Sequence, residues 1–454
     1  EKIDTDYKKQ IFHKNLIFSG IKEHNLINKL NKLLITGSRT LAYIGSNNNL
    51  ETLIDESNNI LSLIEGPLQY RSDIGIDIVN YLDKSDKLDK LDKLDKLDKL
   101  DKSPKYIDID NSNSIVSDIG SIIKGTHNQT CISEIGDYSG ICSIKSFGYV
   151  NPVLITSIDG VGTKSLFVSK IVDYYDLKSN KSNILSYKSL GKDIVGHSIN
   201  DILVKGAIPL YFTDYIASSK LSKNIILSIV EGMSEMSTKY NLPIIGGETA
   251  EMPGVYNDNS YDIVGSITGI MEKNKIINGK LNIKGGDICI GLKSSSPHTN
   301  GYSLIRKLFE KYDYNLDLIK KSYGITDEFI KWLCEPHRCY SNEINMLIEK
   351  EVNIHGLVHI TGGGFTDNIP RVVPDNKSIR YRENIVYDNE NKIIDVNFRK
   401  LQEIGNLSLD DMLKIFNCGI GFVIITDLYN SKHIQEIYKI NNIEYKIIGE
   451  INNI

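Results

Sequence analysis

Glu248 and Glu251 stand three residues apart in "GGETAEMPG" (246–254), on a glycine turn that follows the apolar run "LPII". Carboxylates at the end of a buried strand are costly to desolvate unless something cationic meets them. A metal ion, a substrate amine and a basic partner all qualify. Upstream, "PVLITSIDGVGTK" (152–164) reads as a buried strand ending in Asp159, then Gly160, Val161, Gly162, Thr163 and Lys164. Its glycines can let backbone amides approach an anion while Lys164 adds charge. The same stretch can equally be a plain turn, because the Walker A spacing is absent. In "GKDIVGHSINDILVKGAIP" (191–209), Asp193, His197 and Asp201 recur at i, i+4 and i+8 and share roughly one helix face. Asn200 and Asp201 offer oxygen donors of the kind that a hard cation such as Mg²⁺ takes while keeping several waters. His197 by itself is read as a satisfied helix histidine.

Two further loops carry polar chemistry. "SSSPHTNGYSLIRKLF" (294–309) sets His298 and Asn300 in a polar loop that opens a helix at about Tyr302. A loop imidazole can serve as acid, base or phosphate partner. "HITGGGFTDNIPRV" (359–372) places Thr361, Gly362, Gly363 and Gly364 between a strand and a helix. Such a turn either binds phosphate through its amides or simply connects the two elements. "FNCGIGFVI" (416–424) reads as a glycine-punctuated entry to a core strand, with close backbone packing.

These residues need a scaffold. Apolar runs of strand length ("PVLITSI", "LPIIGG", "DIVGSITGI", "DICIGL", "FVIIT") alternate with helical patterns over 191–206 and 222–240, which predicts an α/β or α+β architecture. A composition change near 274–287 divides this region in two. Before it, "DKSDKLDKLDKLDKLDKLDKSPK" (83–105) repeats leucine every third residue, from Leu88 to Leu100. On a helix that period drifts about 60° per repeat, so no single apolar stripe forms. The run is read as a solvated spacer. Residues 1–80 hold short strand-like and helical segments with too little apolar mass for an independent enzyme.

Composition narrows the class. Of 454 residues, 41% are hydrophobic and 24% charged, the balance of a folded chain long enough for two to three domains. A net charge of −5 argues against a general nucleic-acid binder. The six cysteines include no C-x-x-C pair, which fits a reducing, cytoplasmic setting. No apolar run approaches the length of a membrane span. The chain opens on Glu1 and is read as the downstream part of a longer protein.

Taken together and in order, "DGVGTK", the segment from Asn200 to Tyr215, "GGETAEMPG", "SSPHTNGYSLIRK", "HITGGGFTDNIPRV" and "FNCGIG" resemble the aminoimidazole ribonucleotide (AIR) synthetases, the phosphoribosylformylglycinamidine cyclo-ligases. The resemblance runs from about Asp108 to Ile451. Residues 1–80 look like the C-terminal end of glycinamide ribonucleotide (GAR) synthetase, on "IFHKNLIF", the Gly37-Ser38-Arg39 turn and "QYRSDIG", with Tyr70, Arg71, Asp73, Ile74 and Gly75. The pair implies the downstream half of a fusion of the two synthetases. Its parts would be a GAR synthetase tail over 1–80, a charged linker over 81–107, an N-terminal ATP-binding domain over 108–274 and a C-terminal domain over 275–454.

The resemblance implies a two-domain α/β fold whose N-terminal strands pair across a homodimer, with the site between the domains. It implies ATP- and Mg²⁺-dependent cyclisation of a small ribonucleotide, with no nucleic-acid or membrane partner. ATP would meet Asp159, Gly160, Gly162, Thr163, Lys164, Asn200 and Asp201, with the metal on Asp159, Asp201 and Glu248. His298, Asn300 and Glu251 would be catalytic, and Thr361 to Gly364 would bind substrate or phosphate. Whether Glu248 or Glu251 meets metal or substrate stays open. The chain departs from the family pattern in four places: only Gly136 and Gly140 in "SEIGDYSGI", Gly120 for a lysine, His337 for a threonine, and His197 for an apolar residue. The competing readings are a non-catalytic dimerising scaffold and another ATP-using member of the fold, such as a selenophosphate synthetase.

Overall fold

The structure is a computed structural model and describes residues 16–18, 21–23, 33–35, 41–43, 109–178, 186–257, 260–381 and 395–454. The chain divides into two compact units, Glu1–Lys105 and Tyr106–Ile454. In the first, β1 (Leu16–Phe18), β2 (Ile21–Glu23), β3 (Leu33–Ile35) and β4 (Leu41–Tyr43) form two antiparallel pairs, β1 with β4 and β2 with β3. The leucine-triplet run at 83–105 and the segments 37–39 and 70–75 lie outside the described residues.

The second unit opens with α1 (Ile109–Lys124), β5 (Pro152–Gly160), α2 (Lys164–Lys178), α3 (Lys188–Leu203), β6 (Ile208–Ser218), α4 (Lys223–Lys239), β7 (Ile244–Glu251) and β8 (Tyr261–Glu272). Its four strands form one sheet in the order β5-β8-β6-β7, antiparallel except for the β6–β7 pair. Alternation along β5 turns Val153, Ile155 and Ser157 inward and leaves Leu154, Thr156 and Ile158 exposed, the period-2 signature of a strand with one covered face. The expected helices over 191–206 and 222–240 correspond to α3 and α4. These two cross in backbone contact: a Cβ on Gly191 would fall 1.9 Å from the Ile229 carbonyl oxygen, and one on Gly232 would fall 2.0 Å from that of Lys188. Only glycine lets the axes come this close.

The sheet register sets up the site. Asp159 on β5 and Asp214 on β6 both stand opposite Gly265 of β8, and Asp214 also stands opposite Gly247 of β7. Directly opposed residues share a face, so both acids project toward the helix side.

The rest of the unit comprises α5 (Gly279–Asn282), β9 (Ile288–Lys293), α6 (Tyr302–Glu310), α7 (Leu316–Tyr323), α8 (Asp327–Cys334), α9 (Ser341–Glu349), β10 (Gly356–His359), α10 (Gly364–Asn368), β11 (Lys377–Tyr381), α11 (Val396–Gly405), α12 (Leu409–Ile415), β12 (Ile420–Thr426), α13 (Leu428–Ile440) and β13 (Tyr445–Asn453). Its strands form an antiparallel sheet in the order β10-β12-β9-β13-β11. β12 is buried at every position, and each of its large apolar side chains contributes about 1.5–3 kcal/mol by leaving water. Side-chain caps start the helices: Thr326 for α8, Asp395 for α11 and a Ser408–Asp411 capping box for α12, each worth about 1 kcal/mol. Among the described residues, no helix is long and apolar enough to cross a membrane.

Candidate active site

Helix α3 is the spine of the site. Its i, i+4, i+8 face carries Asp193, His197 and Asp201 as its spacing requires, but the three residues do different work. Asp193 is fully buried and accepts from Lys164 Nζ at 2.8 Å and from the His337 backbone amide at 2.7 Å. Lys164 Nζ also donates to the Glu335 carbonyl at 2.7 Å. The ATP-contact expectation for Lys164 is therefore corrected. The side chain is fully enclosed, and two of its three donors tie the start of α2 to α3 and to the 335–337 segment. Burial pushes the Asp193 carboxyl up against the pull of Lys164.

Asn200 is corrected in the same way. Its Nδ2 donates to the Arg338 carbonyl at 2.8 Å, and its Oδ1 accepts from the Tyr340 amide at 2.9 Å. This buried amide holds the 338–340 backbone against α3.

His197 and Asp201 face β5 and β10. His197 Nδ1 lies 3.0 Å from Thr299 Oγ1. Its Nε2 stands 3.0 Å from Asp159 Oδ2 and 3.8 Å from Asp201 Oδ2, off the line of a hydrogen bond, so those contacts are electrostatic. Burial lowers the His197 imidazole, but the three acids around it, Asp159 foremost, hold it above its ordinary value. Asp201 Oδ1 accepts from His359 Nδ1 at 2.9 Å and its Oδ2 from Ser157 Oγ at 2.9 Å. Burial raises the Asp201 carboxyl; His359, His197 and Ser157 outweigh that and bring it down to about 2.

Asp159 is 46% exposed, with Oδ1 accepting from the Gly160 amide. Asp159 and Asp201 thus come together around His197. Glu248 does not join them. It sits one residue beyond Gly247 on the far edge strand, so it points to the opposite sheet face, roughly 14 Å of strand spacings from β5. A single metal on Asp159, Asp201 and Glu248 of one chain is excluded by this register. Glu251 is half-buried and its Oε2 accepts from the Leu221 amide at 2.9 Å, bracing the chain before α4.

The expected loops converge. Gly162 is exposed with φ +65°, and Thr163 Oγ1 lies 3.4 Å from Ser303 Oγ at the start of α6. Asn300 faces Gly362, whose Cβ would fall 3.3 Å from Asn300 Oδ1. The glycine turn at Gly362, Gly363 and Gly364 is fixed from beneath by Asn368, whose Nδ2 donates to the carbonyls of Thr361, Gly362 and Gly364, while Thr361 Oγ1 donates to Asn368 Oδ1. Asp159, Gly160, Gly162, Thr163, Asn300, Thr361 and Gly362 are thus brought into one rim, which can receive an anionic ligand and its counter-cation.

His298 lies beneath this rim. The expectation of a titrating loop imidazole is corrected: the residue is fully buried, at φ +63°, with its ring stacked 3.9 Å from that of His337. Burial first, then the neighbouring cationic groups, pushes its pKa well below the usual histidine value. Gly421 makes this possible, because a Cβ there would fall 2.5 Å from His298 Cε1 and 2.2 Å from Tyr340 Oη.

Sequence reasoning passed over Ser157, Asp214 and His359, and treated His337 only as a departure. His359 is bound to Asp201 across a sequence separation of 158 residues, which no local spacing reveals. Asp214 had one readable signal, an acid inside the apolar "YFTDYIA" run. It keeps partial solvent access, yet the packing around its carboxyl pushes it up to about 7.

Comparison with known proteins bears on the family and the fold. Residues 148–271 match the family described as AIR synthase related protein, N-terminal domain, and residues 284–453 match the corresponding C-terminal domain. The chain is 40% identical over 345 residues to the phosphoribosylformylglycinamidine cyclo-ligase of Lawsonia intracellularis, covering 76% of this chain and 92% of that one. It is 32% identical over 451 residues to the bifunctional purine biosynthetic protein purD of Dictyostelium discoideum, covering 97% of this chain and 51% of that protein, about half its length. A crystal structure of the hydrogenase maturation protein HypE in complex with ATP shares the fold, at a TM-score of 0.50 and 13% identity over 76% of this chain and 87% of that one. With both domain matches and 40% identity across nearly the whole of a curated relative, this chain belongs to the AIR synthase (phosphoribosylformylglycinamidine cyclo-ligase) family.

Proposed function

We propose that the chain closes formylglycinamidine ribonucleotide to aminoimidazole ribonucleotide at the expense of ATP, releasing ADP and phosphate, as a step of purine biosynthesis. The observation that carries this reading is the convergence of the rim: the "DGVGT" turn, the "HTNG" loop and the "TGGG" turn meet through Thr163–Ser303 and Asn300–Gly362. Bound ATP supplies the phosphoryl group that makes an amide oxygen a leaving group, after which the neighbouring amine attacks the activated carbon. The chain's own part is positioning and neutralisation of charge. Asp159 and Asp201 fit a hard cation such as Mg²⁺: both present carboxylate oxygens with partial solvent access, and His359 and Ser157 keep Asp201 ionised. Asn300 and the Gly362 turn would orient the substrate or its phosphate.

We further propose a homodimer through the open face of the first sheet, where Leu154 and Ile158 are exposed and Glu248 also projects. The domain limits proposed are 1–80, 81–107, 108–274 and 275–454, with the first segment the tail of a GAR synthetase fused upstream. The six cysteines are free, which suits a reducing cytoplasm.

The experiment is turnover by the purified chain with formylglycinamidine ribonucleotide, ATP and Mg²⁺, following ring product and phosphate together. Equal amounts of both are expected. A folded chain that releases neither would leave the scaffold reading in place, and one that releases phosphate alone would favour another ATP-using member of the fold. Light scattering of wild type and Ile158→Lys checks the dimer, which the lysine should dissociate.

A further inference from the structure

Beneath the rim, four imidazoles crowd together, and their hydrogen bonds do not balance. His359 Nδ1 donates to Asp201, which leaves its Nε2 as an acceptor for His337 Nε2 at 2.9 Å. His337 Nδ1 and both nitrogens of His298 are buried and have no partner. Leaving buried polar atoms unmatched is costly, and His298 adds a left-handed backbone at φ +63° to hold its ring there. One ring nitrogen from each of His298, His337 and His359 lies within 4.8 Å of the other two.

We infer that His298, His337 and His359 form a three-nitrogen site for a divalent transition metal of the zinc class. Imidazole nitrogens suit such an ion and are poor ligands for magnesium. The Asp201–His359 bond is the outer carboxylate that fixes a ligating histidine's tautomer in metal sites. Metal entry replaces the His337–His359 bond, and rotation of the stacked His298 ring about Cβ–Cγ brings one of its unpartnered nitrogens to the ion. His337 stands where the family resemblance sets a threonine, so the third ligand is this chain's own. The site adjoins the proposed Mg²⁺ position, with Asp201 between the two, and its metal binding does not depend on ring closure.

The test uses the whole chain, stripped with chelator and dialysed, then given Zn²⁺ or Co²⁺ without nucleotide. One equivalent bound per chain is expected, with intense visible Co²⁺ bands of low-coordinate nitrogen ligation and a raised melting temperature. His337→Thr and His337→Gln should weaken binding beyond the ~10–100-fold that loss of an outer-shell partner costs. His197→Leu and the exposed His433→Gln should retain it. Wild type that takes up no equivalent of Zn²⁺ or Co²⁺ overturns the site, whether or not the His337 variants fold. So does binding that survives His337→Thr, or that is lost instead in His197→Leu, which would move the ion to His197, Asp201 and His359.

Discussion

The rim of the cleft and the floor under it are built from the same motifs, yet they obey different rules. Thr163 is on the rim and Lys164 in the floor; Asn300 is on the rim and His298 two residues earlier is fully buried. Asp201 keeps 22% of its side chain exposed while Asn200 beside it is enclosed. Rim groups have solvent access and few partners. Floor groups are tied: Lys164 to Asp193 and Glu335, Asn200 to Arg338 and Tyr340, His359 to Asp201. A residue in a functional motif is therefore as apt to hold the loop as to touch the ligand, and helix or turn geometry decides which.

The largest effect expected from this contrast is in the floor. Asp193→Ala leaves Lys164 charged and unpaired in a site with no exposed surface, which should cost about 3–5 kcal/mol of stability. Urea unfolding measures it; a loss under 1 kcal/mol would mean the floor is not a closed ion pair. The matching rim substitution, Asp159→Asn, should barely move the urea midpoint. It should instead depress turnover by roughly 10²-fold and raise the Mg²⁺ requirement, since metal-borne charge stabilisation is worth several kcal/mol. Should stability fall and turnover hold, the two regions would have been assigned the wrong way round.

Much of the scaffold was legible in the sequence. The runs "PVLITSI", "LPIIGG", "DIVGSITGI", "DICIGL" and "FVIIT" fall on β5, β7, β8, β9 and β12, because buried strands announce themselves as short apolar runs. The face shared by Asp193, His197 and Asp201 followed from helical spacing. What was not legible is where each member of that face points, since its partners Lys164, Thr299 and His359 come from three other segments. Glu248 shows the same limit in a strand: one residue of register separates the helix face from the open face, and register is set by pairing with β6. The short helices α7, α8 and α9 also escaped, the first two being marked by the Asn315 and Thr326 caps and the third by packing, more than by long periodicity.

A smaller effect probes how tightly the floor is packed. Gly421→Ala places a methyl group against His298 and Tyr340 on fully buried β12. Overpacking of this kind costs about 1–3 kcal/mol, and the expected sign is destabilising with wild-type Mg²⁺ dependence. An unchanged midpoint would show that the histidine stack yields freely, which would blur the distinction between floor and rim.

The smallest effect is also the one with a pH signature, and it concerns Asp214, which shares a row of the first sheet with Asp159. Packing holds its carboxyl at about 7 in the folded chain, against about 3.9 when unfolded. Below pH 4 the group is neutral in both states and contributes no difference. Between pH 4 and 7 the unfolded chain releases the proton while the folded chain keeps it, so folding loses stability as pH rises. Above pH 7 the penalty is fully present. Partial solvent access reduces it from the full linkage value to about 1 kcal/mol. Asp214→Asn removes the titration, so its stability relative to wild type should be level at pH 4 and about 1 kcal/mol greater at pH 8. Urea unfolding at both values reads the difference directly. Parallel curves for wild type and variant would mean that Asp214 is solvated like a rim acid, and the row it shares with Asp159 would then belong wholly to the open cleft.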